Sequence, residues 1–176
     1  MAVRTASMTL VQDAKQGDQV AFMSLLEPLL GPAYRLACGI LHDHQAAEDV
    51  VQEASFKAWR KLGQLREGHE ARPWFLGIVA NECRTVRRSH WWSVLKWPEM
   101  KGVDTSSDSA LSGLDLRRAL RRIDVDTRLV LVLHWYLDLP LHEISVITGA
   151  SVHAVESRLQ RGMNELRRRM EARDAN

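Results

Sequence analysis

An all-α fold in two small helical modules is what this sequence predicts, and three observations carry the prediction. Apolar residues recur at helical spacing along most of the chain. No stretch alternates with a period of two, and no Asn-Gly hairpin pair occurs. One stretch, 98–113 ("PEMKGVDTSSDSALSG"), breaks the pattern with Ser, Asp and Gly and offers little to bury. The boundaries that follow are a first module over 1–92, a flexible linker over 93–112 and a second module over 113–176. A length of 176 residues and a hydrophobic share of 45% support cores of that size.

The start, "MAVRTASMTLVQDAKQGD", lacks the apolar centre of a secretory signal. No apolar run approaches the ~18 residues a bilayer span needs, so the cytoplasm is the expected location. Asp18 is placed to cap a helix over 19–41 with Phe22, Leu25, Leu26, Leu29, Leu36 and Ile40 facing inward. Pro28 and Pro32 are expected to kink or break it. A helix over 45–62 follows, then a loop punctuated by Gly63 and Gly68. Pro73 suits the first turn of the next helix, expected to reach residue 90.

The helix over 45–62 has two contrasting faces. Ala47, Val50, Val51, Ala54, Ala58 and Leu62 form an apolar stripe, and opposite it stand Asp49, Gln52, Glu53, Phe56 and Arg60. An aromatic ringed by acids and polar groups suits a protein interface. A single exposed Phe on a solvated face is the plainer alternative. In the following helix, Trp74, Phe75, Ile78 and Val79 anchor the start, while Asn81, Arg84, Arg87 and Arg88 decorate the end. Trp91, Trp92 and Trp97 come next. Arginines among aromatics suit single-stranded nucleic acid, whose bases stack on rings and whose phosphates meet guanidinium groups.

In the second module "LDLRRALRRI", "DTRLVLVLHWYLD" and "LHEISVIT" read as helices. The last ends at Gly149, which can take the left-handed backbone that closes a helix, and Ser151 can cap the next. Two helices joined by so short a turn make a helix-turn-helix. Over 151–170 the inward stripe is expected to be Val152, Val155, Leu159, Met163, Leu166 and Met170. Outward stand His153, Ser157, Gln160, Arg161 and Asn164. Arg161 can chelate guanine, Gln160 suits adenine, and Glu156 can accept from cytosine. Arg158, Arg167, Arg168 and Arg169 are better suited to phosphates. A solvated bundle helix would also carry Arg and Gln, but the turn and cap spacing favour DNA.

Net charge is only +2, so the basic character is local rather than spread over the whole surface. Cys38 and Cys83 form no CxxC pair, and no His or Cys spacing suits a structural metal. No metal, no cofactor, no small-molecule substrate and no catalytic residue are expected. A hydrolase would need a constellation that these residues do not provide.

Taken in series, the motifs resemble the bacterial sigma-70 superfamily of RNA polymerase sigma factors. "AEDVVQEASFKAW" is similar to the region-two signature A-E-D-x-x-Q-E-x-F-x-x-A-W, and "RPWFLGIVANECRTVRR" resembles its W-L-x-x-I-A-x-N continuation. "LHEISVITGASVHAVESRLQRGMNELRRRM" is similar to region four. The compact arrangement resembles the extracytoplasmic-function group. Three departures stand out. Ser55 occupies the family's Phe position, with Phe56 one residue later and so about 100° around the helix. Ser145 replaces a small Ala, and Glu156 stands where Lys or Arg is usual.

The resemblance implies a promoter-specificity subunit without enzymatic activity. Asp49, Gln52, Glu53, Phe56 and Arg60 would bind core RNA polymerase at the clamp helices of its largest subunit, with the flap as a further contact. Asn81, Arg84, Arg87 and Arg88, with the loop 64–72, would hold the minus-ten element. Glu156, Ser157, Arg158, Gln160 and Arg161 would read or grip the minus-thirty-five element. An anti-sigma factor is the implied regulator. The alternative is a stand-alone dimeric helix-turn-helix regulator, which leaves the face around Glu53 without a purpose.

Overall fold

The computed structural model describes residues 2–66, 68–96, 116 and 118–174. Helices α1 (Ala2–Lys15), α2 (Gln19–Leu41), α3 (His44–Lys61) and α4 (Ala71–Lys96) build the first module, with a 3₁₀ turn at Leu62–Gln64. The second holds a helical turn at 118–121, α5 (Val125–Leu131), a π-type turn at Val132–Tyr136, α6 (Leu141–Thr148) and α7 (Val152–Asp174). There is no strand among the described residues. The fold is all-α.

Local chemistry sets the helix boundaries. Asp18 Oδ1 accepts from the N–H groups of Val20 and Ala21 at 2.8 and 3.1 Å, fixing the start of α2. The helix ends where His42 turns left-handed at φ 56° and donates its N–H to the Cys38 carbonyl. Asp43 then caps α3 through the Ala46 N–H at 2.9 Å. Two residues thus reverse the chain. Of the two outcomes expected of Pro28 and Pro32, a break does not occur: the helix is continuous from Gln19 to Leu41. Pro28 and Ser24, whose carbonyl loses its helical donor to the ring, are both exposed, so water can replace the missing bond.

Leu36, Ile40, Phe75 and Leu76 are wholly buried where α2 meets α4. Each contributes on the order of 1.5–3 kcal/mol by leaving water. Ala47, Ala54 and Ala58 are also fully buried on α3, and their small side chains let its backbone approach its neighbours closely. Phe22 meets Trp59 edge-on at 4.9 Å. Trp74 is half-buried against the same core.

The two modules are not separate bodies. Leu129, Val130, Val132, Leu133, Ile144 and Ile147 belong to one continuous cluster with the α2, α3 and α4 core. At Gly39 on α2, an added Cβ would stand 2.9 Å from Val132 Cγ1. A smaller cluster of Ala119, Ile123, Leu131 and Leu166 completes the second module. Helix α4 extends to Lys96, and the expected linker beyond that residue lies outside the described residues, as does Trp97. The side chains of Trp91 and Trp92 lie outside them as well.

The α7 stripe differs from the one expected. Val155 and Leu166 are buried and Leu159 is half-buried, but Val152, Met163 and Met170 are exposed. Gly162 is the buried position instead, pressed against Thr127 and Leu131 of α5. A glycine leaves no mark in an apolar pattern, so the pattern assigned its place to Met163.

Candidate nucleic-acid and partner interfaces

On α3, the face opposite the alanine stripe is fully presented. Asp49, Gln52, Glu53, Phe56 and Arg60 are all exposed, and Phe56 leaves 57% of its surface in solvent. The Arg60 guanidinium lies 5.7 Å from the Phe56 ring centre, so the exposed ring is held by a cation–π contact. Lys57, beside this face, reaches Glu53 at 3.2 Å and Glu82 of α4 at 2.7 Å. The Glu82 hydrogen bond, followed by that of Glu53, raises the Lys57 pKa against the opposing effect of burial. Ser55 is half-buried and donates to the Val51 carbonyl, so the departure is satisfied within its own helix.

On α4, the C-terminal half brings Asn81, Arg84, Arg87 and Arg88 along one flank. Arg84 donates through Nη1 to Asn81 Oδ1 at 2.9 Å and through Nε to Asp126 Oδ1 of α5 at 2.8 Å. Asn81 and Arg88 are exposed and Arg87 is half-buried. Arg66 and His69 in the preceding loop are exposed, while Arg72, in the first turn of α4, lies 3.9 Å from Glu143 of α6.

The helix-turn-helix is present as drawn from the sequence. Gly149 closes α6 at φ 69°, and the Ser151 hydroxyl accepts from the Ala154 N–H at 3.2 Å. Ser145 donates its hydroxyl to the Ala150 carbonyl at 2.6 Å, a bond across the turn that an alanine could not make. Glu156, Gln160 and Arg161 are exposed on α7, and Ser157 is half-buried. Arg161 Nε bonds back to the Ser157 carbonyl at 3.2 Å, which orients its guanidinium along the outer face.

Arg158 sits differently. It is half-buried, and its charge helps to hold the Asp124 carboxyl below the usual range. Burial works the other way on that group but is outweighed by the Thr127 hydrogen bonds, the Asp126 N–H and Arg158. Arg168 and Arg169 both reach Glu165, leaving Arg167 the less encumbered phosphate candidate.

Two exposed aromatics escaped the sequence reading. Trp135 and Tyr136, on the π-type turn, leave 66% and 59% of their surfaces in solvent. The available signal was the run "HWYL": adjacent aromatics at the end of a helix cannot all face one core. Among the described residues no group of three or more His, Cys, Asp or Glu is arranged to hold a metal ion. Nor is any described helix long and apolar enough to cross a membrane.

Residues 25–93 match the family model for Sigma-70 region 2, and residues 113–166 match that for Sigma-70, region 4. The chain belongs to the sigma-70 family. This sigma factor is 26% identical over 168 residues to the RNA polymerase sigma factor NccH of Alcaligenes xylosoxydans xylosoxydans, covering 89% of this chain and 90% of that one. It is 22% identical over 176 residues to the ECF RNA polymerase sigma factor SigW of Bacillus subtilis (strain 168), covering 91% and 94%. The solved structure of CnrH in complex with the cytosolic domain of CnrY matches it with a TM-score of 0.68 at 25% identity, covering 95% of this chain and 98% of that one. The matched regions place the α3 and α4 faces in region two and the helix-turn-helix in region four.

Proposed function

We propose that this sigma factor confers promoter specificity on core RNA polymerase, with its surfaces divided among three tasks. Asp49, Gln52, Glu53, Phe56 and Arg60 dock on the clamp helices of the largest subunit. Trp135 and Tyr136 supply the apolar contact for the flap, since neighbouring exposed aromatics mark a docking surface. Asn81, Arg84, Arg87 and Arg88, with the loop 64–72, hold the minus-ten strand. A base drawn from the stack there costs about a few kcal/mol of unstacking, which contacts made only in the melted state offset.

Glu156, Ser157, Gln160 and Arg161 read base edges of the minus-thirty-five duplex, with Arg158 at the margin against phosphate. The protein carries out no chemistry itself, works in the cytoplasm and needs no cofactor. An anti-sigma factor is the fitting regulator, given that CnrH was solved with the cytosolic domain of CnrY.

One observation carries this reading: a capped helix-turn-helix shares its chain with a separate exposed face of acids around a cation-held Phe. A stand-alone dimeric regulator would leave that second face unused. Reconstituted transcription with core enzyme and a randomised promoter library is the test. Transcripts should start downstream of a two-part enriched motif. Their absence, with core enzyme shown active with another sigma factor, would overturn the proposal.

A further inference from the structure

The loop between α3 and α4 is held at its base by a helix that flanks neither end of it. The chain leaves α3 through the 3₁₀ turn at Leu62–Gln64, where the Leu65 N–H closes on the Leu62 carbonyl at 3.0 Å. Leu65 is buried and its backbone is extended, at φ −68° and ψ 108°. A carbonyl at such a bend has no helical partner of its own, and leaving it unpaired is costly. Lys15, the last residue of α1, donates its ammonium to this carbonyl at 2.5 Å across fifty positions of sequence.

Leu65 is the last buried point before the exposed part of the loop, and Ala71 is the next. Between them Arg66, Gly68 and His69 are exposed, with Gly68 left-handed at φ 77° and the His69 N–H on the Arg66 carbonyl at 3.2 Å. The direction in which these side chains leave the protein is therefore set at Leu65.

Lys15 itself stands on a firm base. Ala14 is buried, and Leu10 and Val11 pack against the core. Just beyond, Gly17 takes φ 96°, the Asp18 N–H donates to the Asp13 carbonyl at 3.2 Å, and Asp18 caps α2. Helix α1 is thus tied to α2 across a short closed turn. The bond that Lys15 makes is charge-assisted, which makes it stronger than one from a neutral donor. Helix α1 also precedes the span 25–93 that matches region 2, so the brace comes from outside the matched pattern.

We infer that Lys15 is a positioning residue for minus-ten reading, fixing the base of the loop 64–72 so that Arg66 and His69 meet the strand in one arrangement. The inference rests on the minus-ten role proposed above for that loop. Lys15 acts through the Leu65 carbonyl rather than on DNA. It reduces the number of loop arrangements that binding must freeze out.

Two measurements on the full-length chain test this. Lys15→Met keeps the length of the side chain and removes its donors, and Lys15→Arg keeps donors and charge. In the free protein, amide hydrogen exchange over residues 62–72 should quicken in Lys15→Met by about threefold to tenfold, the range one hydrogen bond supplies. Lys15→Arg should restore most of the protection. With core enzyme, on a promoter taken from the randomised library, discrimination against single-base minus-ten variants should fall by a similar factor. Discrimination at minus thirty-five should be unchanged.

Unchanged exchange in Lys15→Met overturns the inference, because the loop is then held without the ammonium. Faster exchange with intact minus-ten discrimination overturns it too, as does an equal loss at both elements. In each of these the wild type still transcribes, and the functional proposal stands. A wild type that starts no transcripts sinks that proposal and the minus-ten role of Lys15 with it, while the exchange result separately decides whether the brace exists.

Discussion

Thr127 lies so close to Gly162 that a Cβ added to the glycine would stand 2.7 Å from the threonine Cγ2. Thr127 has little freedom to yield. It is buried, it hydrogen-bonds Asp124 through its hydroxyl, and its N–H donates to Asp124 Oδ1 at 2.9 Å. Gly162→Ala should therefore destabilise the chain by about 1–3 kcal/mol from overpacking, outweighing the ~1 kcal/mol helix preference of Ala. Urea unfolding measures this. Thr127→Ser in the same chain removes the clashing methyl and should restore part of the loss.

Arg128 makes a second prediction. Burial is the main cause that pushes its pKa down to about 10, so at neutral pH it is charged and bonded to four carbonyls. Arg128→Met would leave those acceptors unpaired and should cost about 3 kcal/mol or more. Arg128→Lys restores the charge but not the planar fork, and should recover only part. Chemical denaturation of the three chains gives the order.

Cys83 ties stability to alkaline pH. Burial, helped by the Glu82 charge, pushes its pKa up to about 12. The folded chain therefore holds a proton that the unfolded thiol releases near ~8.5. This contribution is complete below that value and declines as pH rises above it. Denaturation midpoints should fall between about pH 8.5 and 10 for the wild type, and less for Cys83→Ala. At pH 8, alkylation followed by mass spectrometry should modify the half-buried Cys38 before Cys83.

Arg161 and Arg167 should behave differently on duplex DNA. Arg161→Ala should cost about 1–3 kcal/mol at a single upstream base pair. Arg167→Ala should weaken all sequences evenly and lower the salt slope by about one. Anisotropy with single-base-pair duplex variants over a salt series separates the two roles. An even loss for Arg161→Ala would rule out base reading by that residue.

Glu53→Lys reverses a charge on the α3 face and sets a lysine four residues from Lys57. It should weaken co-sedimentation with core polymerase strongly, while the like-charge pair costs only about 0.2–0.5 kcal/mol of stability. Duplex affinity of the second module should be unchanged. Equal loss of both would point to misfolding instead.

The features legible in the sequence were those carried by side chains with one strong local preference. Asp18 and Ser151 as caps, Gly149 as a helix stop and the alanine stripe of α3 all stand where their chemistry demanded. What escaped depends on groups that periodicity does not count. Gly162 contributes by having no side chain, and Pro28 is tolerated because its flank is exposed. Helix α1 escaped as well; among its described side chains Leu10, Val11 and Ala14 rest on the core. The shared core joins residues about ninety positions apart, such as Ile40 and Arg128, and no local pattern announces such a pairing.

The hydroxyl bridge from Ser145 to Ala150 gives region four a braced hinge whose stiffness owes nothing to the side chains proposed to read the bases. Glu156, Gln160 and Arg161 can consequently be exchanged while the scaffold that aims them stays intact. Over evolutionary time such a protein can retarget itself to new genes by a few surface replacements, and a designer could do the same at the bench.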